Sequence, residues 1–234
     1  FKNLYIYYGW VKKNTMKILF FLIFSVIFAT EQSWDEKLLY KASFGGVDVA
    51  TATLKSKKFK NIQNQDILRI EFKAKSKPSL KYIFPINDKI IIDVDLNTWQ
   101  PLKVDKKIRE GGYKQNSVSI YDHKNKMFIY KEDSISYDGE IFNPYSLIYY
   151  FRTLDFSSDV NYEIQVVDNK KVTPLKFFTD KKVKTKTVLG KFYANKIWPK
   201  KINGEPFKNA GKITMWISDL DKLPIIINLK MKFG

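Results

Sequence analysis

The chain of 234 residues has no cysteine, one histidine and three arginines. Without thiols there is no disulfide scaffold, no thiolate metal site and no cysteine nucleophile. A single imidazole, His123, excludes a multi-histidine metal centre and leaves a serine triad only one base to use. His123 lies in the polar run Asp122-His123-Lys124-Asn125, a turn in which an imidazole is expected to be solvated. A Gly-x-Ser-x-Gly elbow and a glycine-rich phosphate loop are also missing. No catalytic residue, metal or cofactor is therefore assigned. Acids are scarce as well, 24 against 41 basic residues, for a net charge of +17.

The apolar content of 44% and the aromatic content of 16% suffice for a sizeable core, so the charge does not imply disorder. The N-terminal region changes character at Met16. From there Ile18 to Ala29 is apolar except for Ser25, is preceded by Lys12, Lys13 and Lys17, and stops at Thr30-Glu31. A basic start, a short apolar stretch and a small last residue are the layout of a secretory signal. The run is 12 residues, short of the roughly 20 that a membrane span needs. The expected organisation is an upstream segment 1–15 outside the fold, a signal peptide 16–29 and one domain 30–234. Removing residues 1–29 takes away Lys2, Lys12, Lys13, Lys17 and no acid, which leaves 37 basic and 24 acidic residues, +13. An exported basic protein meets anionic lipid or wall polymer rather than nucleic acid. The lysines are spread along the chain, as in Lys55-Ser56-Lys57-Lys58, which also suits a merely solvated surface.

Beyond the leader the dominant period is two. Leu68, Ile70, Phe72 and Ala74 alternate with Arg69, Glu71 and Lys73; Ile225, Ile227 and Leu229 precede Met231 and Phe233 on one parity; Phe192, Ala194 and Trp198 share another. Such alternation predicts strands with one buried and one wet face, hence antiparallel sheet. Gly45-Gly46, Asn87-Asp88, Asp138-Gly139 and Asp168-Asn169 read as turns between about a dozen strands. One segment departs from this: Asn143-Pro144 caps a predicted helix through Arg152, with Pro144, Leu147, Ile148 and Phe151 on its inner face. The expected fold is mainly β: a single antiparallel, strongly curved sheet forming a barrel or clam, with one short helix.

Candidate site residues each have a structural alternative. Asp93/Asp95, Glu132/Asp133 and Asp219/Asp221 are closely spaced acids that could serve a glycosidase or a cation. Asp and Ser in turns also bond their own backbone, and Asp93/Asp95 suits the wet side of a strand. Arg109 and Arg152 are conspicuous where lysine dominates, since a guanidinium grips a carboxylate at two points; a buried ion pair would explain them without a ligand. Trp99, Trp198 and Trp216 could line a sugar or apolar site or fill the core.

Several segments together resemble the DUF3108 family of exported bacterial proteins. Tyr40-Lys41-Ala42-Ser43-Phe44-Gly45-Gly46-Val47 is similar to the family's opening, and Trp99-Gln100-Pro101-Leu102 and Arg109-Glu110-Gly111 to its middle. Asn143-Pro144-Tyr145-Ser146 through Arg152 resembles the family's Asp-Pro-x-Ser-x-x-Tyr-x-x-Arg helix, with Asn for Asp. Ile213 to Pro224 resembles a closing segment, with Asp219-Leu220-Asp221 where the family has Asp-Asp. The resemblance implies a β-rich envelope protein and supplies no catalytic residues.

These readings lead to a periplasmic or otherwise exported, non-catalytic protein that binds or carries a lipid or envelope glycan. Trp216, Asp219, Asp221, Arg109 and Arg152 are the candidate binding residues. An envelope-polysaccharide hydrolase using Asp219 and Asp221, or an assembly partner, are the alternatives. No nucleic acid partner and no lasting membrane span are expected. N-terminal sequencing of protein from its host should find a start near Thr30; a mature chain that retains Tyr5–Trp10 would overturn the leader.

Overall fold

Period-two sequence becomes strand almost throughout. The computed structural model describes residues 4–9, 34–44, 46–83, 85–156, 162–203 and 213–229; the apolar leader and its cleavage point lie outside the described residues. The first strands are β1 (Leu4–Gly9), β2 (Glu36–Phe44), β3 (Val47–Lys60), β4 (Asp66–Ser76) and β5 (Asn87–Asp95). They continue as β6 (Pro101–Glu110), β7 (Tyr113–Asp122), β8 (Met127–Tyr130) and β9 (Asp133–Ser136). After β10 (Ile141–Phe142) and helix α1 (Leu147–Tyr150) come β11 (Tyr162–Asp168), β12 (Lys171–Thr187) and β13 (Gly190–Lys201). β14 (Ile213–Ser218) and β15 (Pro224–Leu229) complete the described chain.

The fold is mainly β, but the expectation of a single sheet is corrected. β2–β9 form an eight-stranded open sheet in sequence order, and β10–β15 a second, curled half-barrel. The two are joined through β1, which pairs with β15 on one side and β2 on the other. Neighbours are antiparallel except β10 and β11, which run parallel. Two curved sheets arise because so many twisted strands cannot stay flat, and their inner faces meet across the core. β1 lies within residues 1–15, which the sequence places outside the fold; a chain cut near Thr30 would lack β1, and with it the partner that stands between β15 and β2. No helix among the described residues is long and apolar enough to cross a membrane.

The alternation sets the inner faces. On β4 and β5, Leu68, Ile70, Ile90, Ile92 and Val94 are fully buried, while Arg69 and Asp93 pair on the outer face at 2.6 and 2.7 Å. Asn87-Asp88, expected as a turn, begins β5; a 3-10 turn at Pro78–Leu80 makes the connection instead.

The helical segment is shorter than predicted. Asn143 does not cap a long helix: its Oδ1 accepts from Tyr145 N at 3.0 Å, its carbonyl from Leu147 N at 3.1 Å, and one α-turn passes into a 3-10 turn, Phe151–Thr153. The segment is buried on nearly every side. Tyr145 meets Phe72 of β4 at 5.4 Å between ring centres, and Phe151 meets Phe177 of β12 at 4.8 Å. Phe142, Leu147, Tyr149, Phe151 and Phe177 are all fully buried, so the space between the sheets is filled around this turn by side chains.

Arg152 closes that core. Its side chain is 1% exposed, Nη1 and Nη2 grip both oxygens of Glu36 on β2, and Nε donates to the Lys222 carbonyl before β15 at 2.9 Å. The guanidinium also lies 5.0 Å from the ring centres of both Trp34 and Tyr149. Breaking a buried pair leaves the partner charge stranded, at a cost of about 3–5 kcal/mol. Arg152→Ala should lower unfolding stability by that amount in a urea titration, and Arg152→Lys by most of it, because an ammonium cannot hold Glu36 at two points while reaching Lys222. A midpoint unchanged in either variant would refute this clamp.

Candidate functional site

The sequence-nominated residues do not converge on one site. Arg152 is committed to the core. Arg109, at the end of β6, donates from Nη1 to the Ile108 and Gln115 carbonyls at 2.6 and 3.1 Å and from Nη2 to Asn116 Oδ1 at 2.9 Å; it braces the β6–β7 hairpin rather than gripping a carboxylate. Asp219 and Asp221 occupy the β14–β15 turn. Asp221 N donates to Ser218 Oγ at 3.0 Å, and Asp219 Oδ1 accepts from Asn195 Nδ2 at 3.2 Å. Asp219 is half-buried and Asp221 exposed, in a turn rather than a cleft.

The other acids and the histidine are likewise engaged. Asp93 pairs with Arg69, and Asp95 accepts from Gln65 Nε2 at 2.8 Å. His123 is not simply solvated. Its Nε2 donates to the Pro101 carbonyl at 2.7 Å, which leaves Nδ1 to accept from the Tyr137 hydroxyl at 2.7 Å, and its ring stacks 6.3 Å from Tyr121.

Two groupings were missed in the sequence. The first is an acid pair facing inward where β5 begins and β6 ends. Asp88 Oδ1 accepts from Arg109 N at 2.8 Å, and Glu110 donates a carboxyl proton to Asp88. Burial, then the charge of Asp88, pushes Glu110 up to about 7, and burial raises Asp88 as well. The pair therefore shares a proton well above the usual carboxylate range. Asp88 escaped notice because Asn-Asp reads as a turn.

The second grouping lies on the outer face of the half-barrel. β12 carries a bulge in which Lys181 and Lys182 stand opposite Asn195 of β13, and Asn195 Oδ1 accepts from Lys182 N at 3.1 Å. Asn195 is buried, so its parity faces inward, and Lys196 and Trp198 fall on opposite parities from Ile197. The Phe192, Ala194 and Trp198 parity faces away from the main core, where Ala194 is buried in a second cluster with Ile225 and Ile226, against which Phe192 and Trp216 pack.

Pairing then assembles a face three strands wide. Phe178 on β12 opposes Trp198 on β13, the rings stacked at 6.1 Å and 23°. Lys196 opposes Trp216 on β14 and stands 4.8 Å from the Trp198 ring centre and 5.9 Å from that of Trp216. Lys200 lies 4.9 Å over Phe178, and Asp180 holds Lys196 from the side at 3.4 Å. The three aromatic residues are half-buried, so each keeps part of its ring in water. Of the nominated binding residues, Trp216 alone belongs to this face. Flat rings bearing cations can receive the apolar C–H face of a sugar while the ammonium groups meet anionic substituents.

A family model described as "Protein of unknown function (DUF3108)" matches residues 39–234, most of the chain. The chain belongs to the DUF3108 family. No curated protein and no solved structure matches it. The match spans both sheets, from β2 to the end of the chain, and so includes the acid pair and the outer aromatic face of this DUF3108 protein.

The acid pair sets a pH dependence. Glu110 has its folded value raised above the ordinary 4.5, so the native state holds more protons than the unfolded one between about pH 4.5 and 7. Its contribution to stability is greatest below that window and is lost as pH rises through it. Glu110→Gln should flatten this part of the stability–pH curve; a curve of unchanged slope would show that the pair does not share a proton.

Proposed function

We propose that this DUF3108 protein is an exported, non-catalytic component of the cell envelope that binds an anionic glycan on the aromatic–lysine face of β12–β14. The observation that carries the reading is the row of Phe178, Trp198 and Trp216 on the solvent side with Lys196 and Lys200 against their rings. Trp216 rests on the small cluster of Ala194, Ile225 and Ile226, and the three aromatic residues keep a partial exposure through which a ligand could reach them. Three further points support binding without chemistry. The leader expected from the sequence would bring the positive charge to envelope polymers. Asp219 accepts from Asn195 of β13 and Asp221 N donates to Ser218 in a tight turn, unlike a catalytic pair flanking a cleft. The side-chain-filled space around α1 favours binding at the surface over carriage of a lipid inside.

The positive charge supplies attraction from a distance, and the rings supply selectivity. Removing the rings at constant charge separates the two. In native gels cast with polygalacturonate, the protein should be retarded, and in gels cast with neutral dextran it should run freely. The Trp198→Ala/Trp216→Ala double variant should bind polygalacturonate about tenfold more weakly, the effect of losing roughly 1.4 kcal/mol. Retardation equal to that of the unaltered protein would reduce the interaction to bulk charge and overturn the reading.

A further inference from the structure

A different surface is built where three loops of the eight-stranded sheet meet. In a meander, every second connection falls at the same end, so the β2–β3, β4–β5 and β6–β7 connections are neighbours. They are tied by backbone bonds. Lys77 N donates to the Val49 carbonyl at 2.9 Å, Lys77 Nζ stands 3.7 Å from Asp48, and Gly111 N donates to the Pro85 carbonyl at 2.8 Å. Gly111 reaches that carbonyl through a left-handed φ of 60°.

This end carries side chains that loop tips ordinarily avoid. Tyr82 is 85% exposed, Ile83 69%, Val47 56% and Tyr113 54%. Around them stand the exposed lysines Lys75, Lys81 and Lys114, with Lys81 Nζ 4.8 Å over the Tyr82 ring. The nearby acids are occupied: Asp48 by Ser43 and Lys77, Asp88 and Glu110 by each other. Aliphatic and phenolic tips ringed by unopposed lysines suit one kind of partner, a bilayer surface that offers acyl chains below and anionic headgroups above. The amphipathic phenol of Tyr82 suits the boundary itself, and the lysine stems can lie along it.

We propose that this DUF3108 protein docks on anionic membrane through the loop end bearing Val47, Tyr82, Ile83 and Tyr113, with Lys75, Lys81 and Lys114 on the headgroups. The attachment is peripheral, made by tips and not by a span. It does not depend on the glycan reading, because it uses no residue of β12–β14.

Sedimentation with vesicles tests it. The protein should pellet with vesicles of phosphatidylcholine containing about one third phosphatidylglycerol, should stay in solution with phosphatidylcholine alone, and should be released as salt is raised. Tyr82→Ser/Ile83→Ser should weaken vesicle binding about tenfold with net charge and fold, followed by circular dichroism, unchanged. Lys81→Glu/Lys114→Glu should do at least as much. The Trp198→Ala/Trp216→Ala variant should pellet like the unaltered protein, which separates failure of this proposal from failure of the glycan one. A protein that remains in the supernatant with phosphatidylglycerol vesicles, or a Tyr82→Ser/Ile83→Ser variant that pellets undiminished, overturns it. So does concentration-dependent dimerisation lost in that variant, because the tips would then cover a second copy.

Discussion

The buried guanidinium of Arg152 is the constraint around which the rest is arranged. It sits between two rings, Trp34 and Tyr149, and reaches β2 of one sheet and the β14–β15 turn of the other. A charge so enclosed is tolerable only when its donors are occupied, and here Glu36 and the Lys222 carbonyl occupy them. The same arrangement places Tyr149 beside Glu36, and burial followed by that charge holds its hydroxyl far above the usual phenol range, hence neutral. The short helical turn is therefore less a decoration on a sheet than the plug that brings two sheets into one core.

That plug has consequences for function. Phe142, Leu147, Phe151 and Phe177 pack the space around the helical turn with side chains. The exterior among the described residues is not uniform. The half-barrel presents rings with lysines on its outer face, and the eight-stranded sheet presents apolar tips at one end. A bulge in β12 and the amide of Asn195 set the first, and the tying of three loops sets the second. Surfaces made this way rest on paired strands, and a ligand meeting them would cost little ordering.

Much of this was legible in residue order. Alternation in Leu68–Ala74 and in Ile225–Leu229 marked the strands, although Ile226 is buried on the parity expected to be wet, and Asp138-Gly139 marked a bend, because both signals are local. Asn143-Pro144 located the helical interruption but overstated its length, since the packing of Tyr145 and Phe151 ends it after one turn. Asn87-Asp88 misled for the opposite reason. A dipeptide that favours turns was drawn into a strand, and Asp88 was placed against Glu110, a residue 22 positions away. The sequence names Trp216 without its partners. Phe178, Lys196 and Trp198 become its neighbours only through strand pairing.

The amino-acid order by itself determined the strand-rich character, the absence of thiol and multi-histidine chemistry, the excess of lysine and the family. These follow from composition and from periods of two residues, which a chain carries whether folded or not. Tertiary structure decided which strand face meets water, that two sheets replace one, and which arginine is buried. It also decided which acids share a proton. Those outcomes depend on register and on contacts between residues far apart in the chain, and a shift of one position in pairing would have reversed every face.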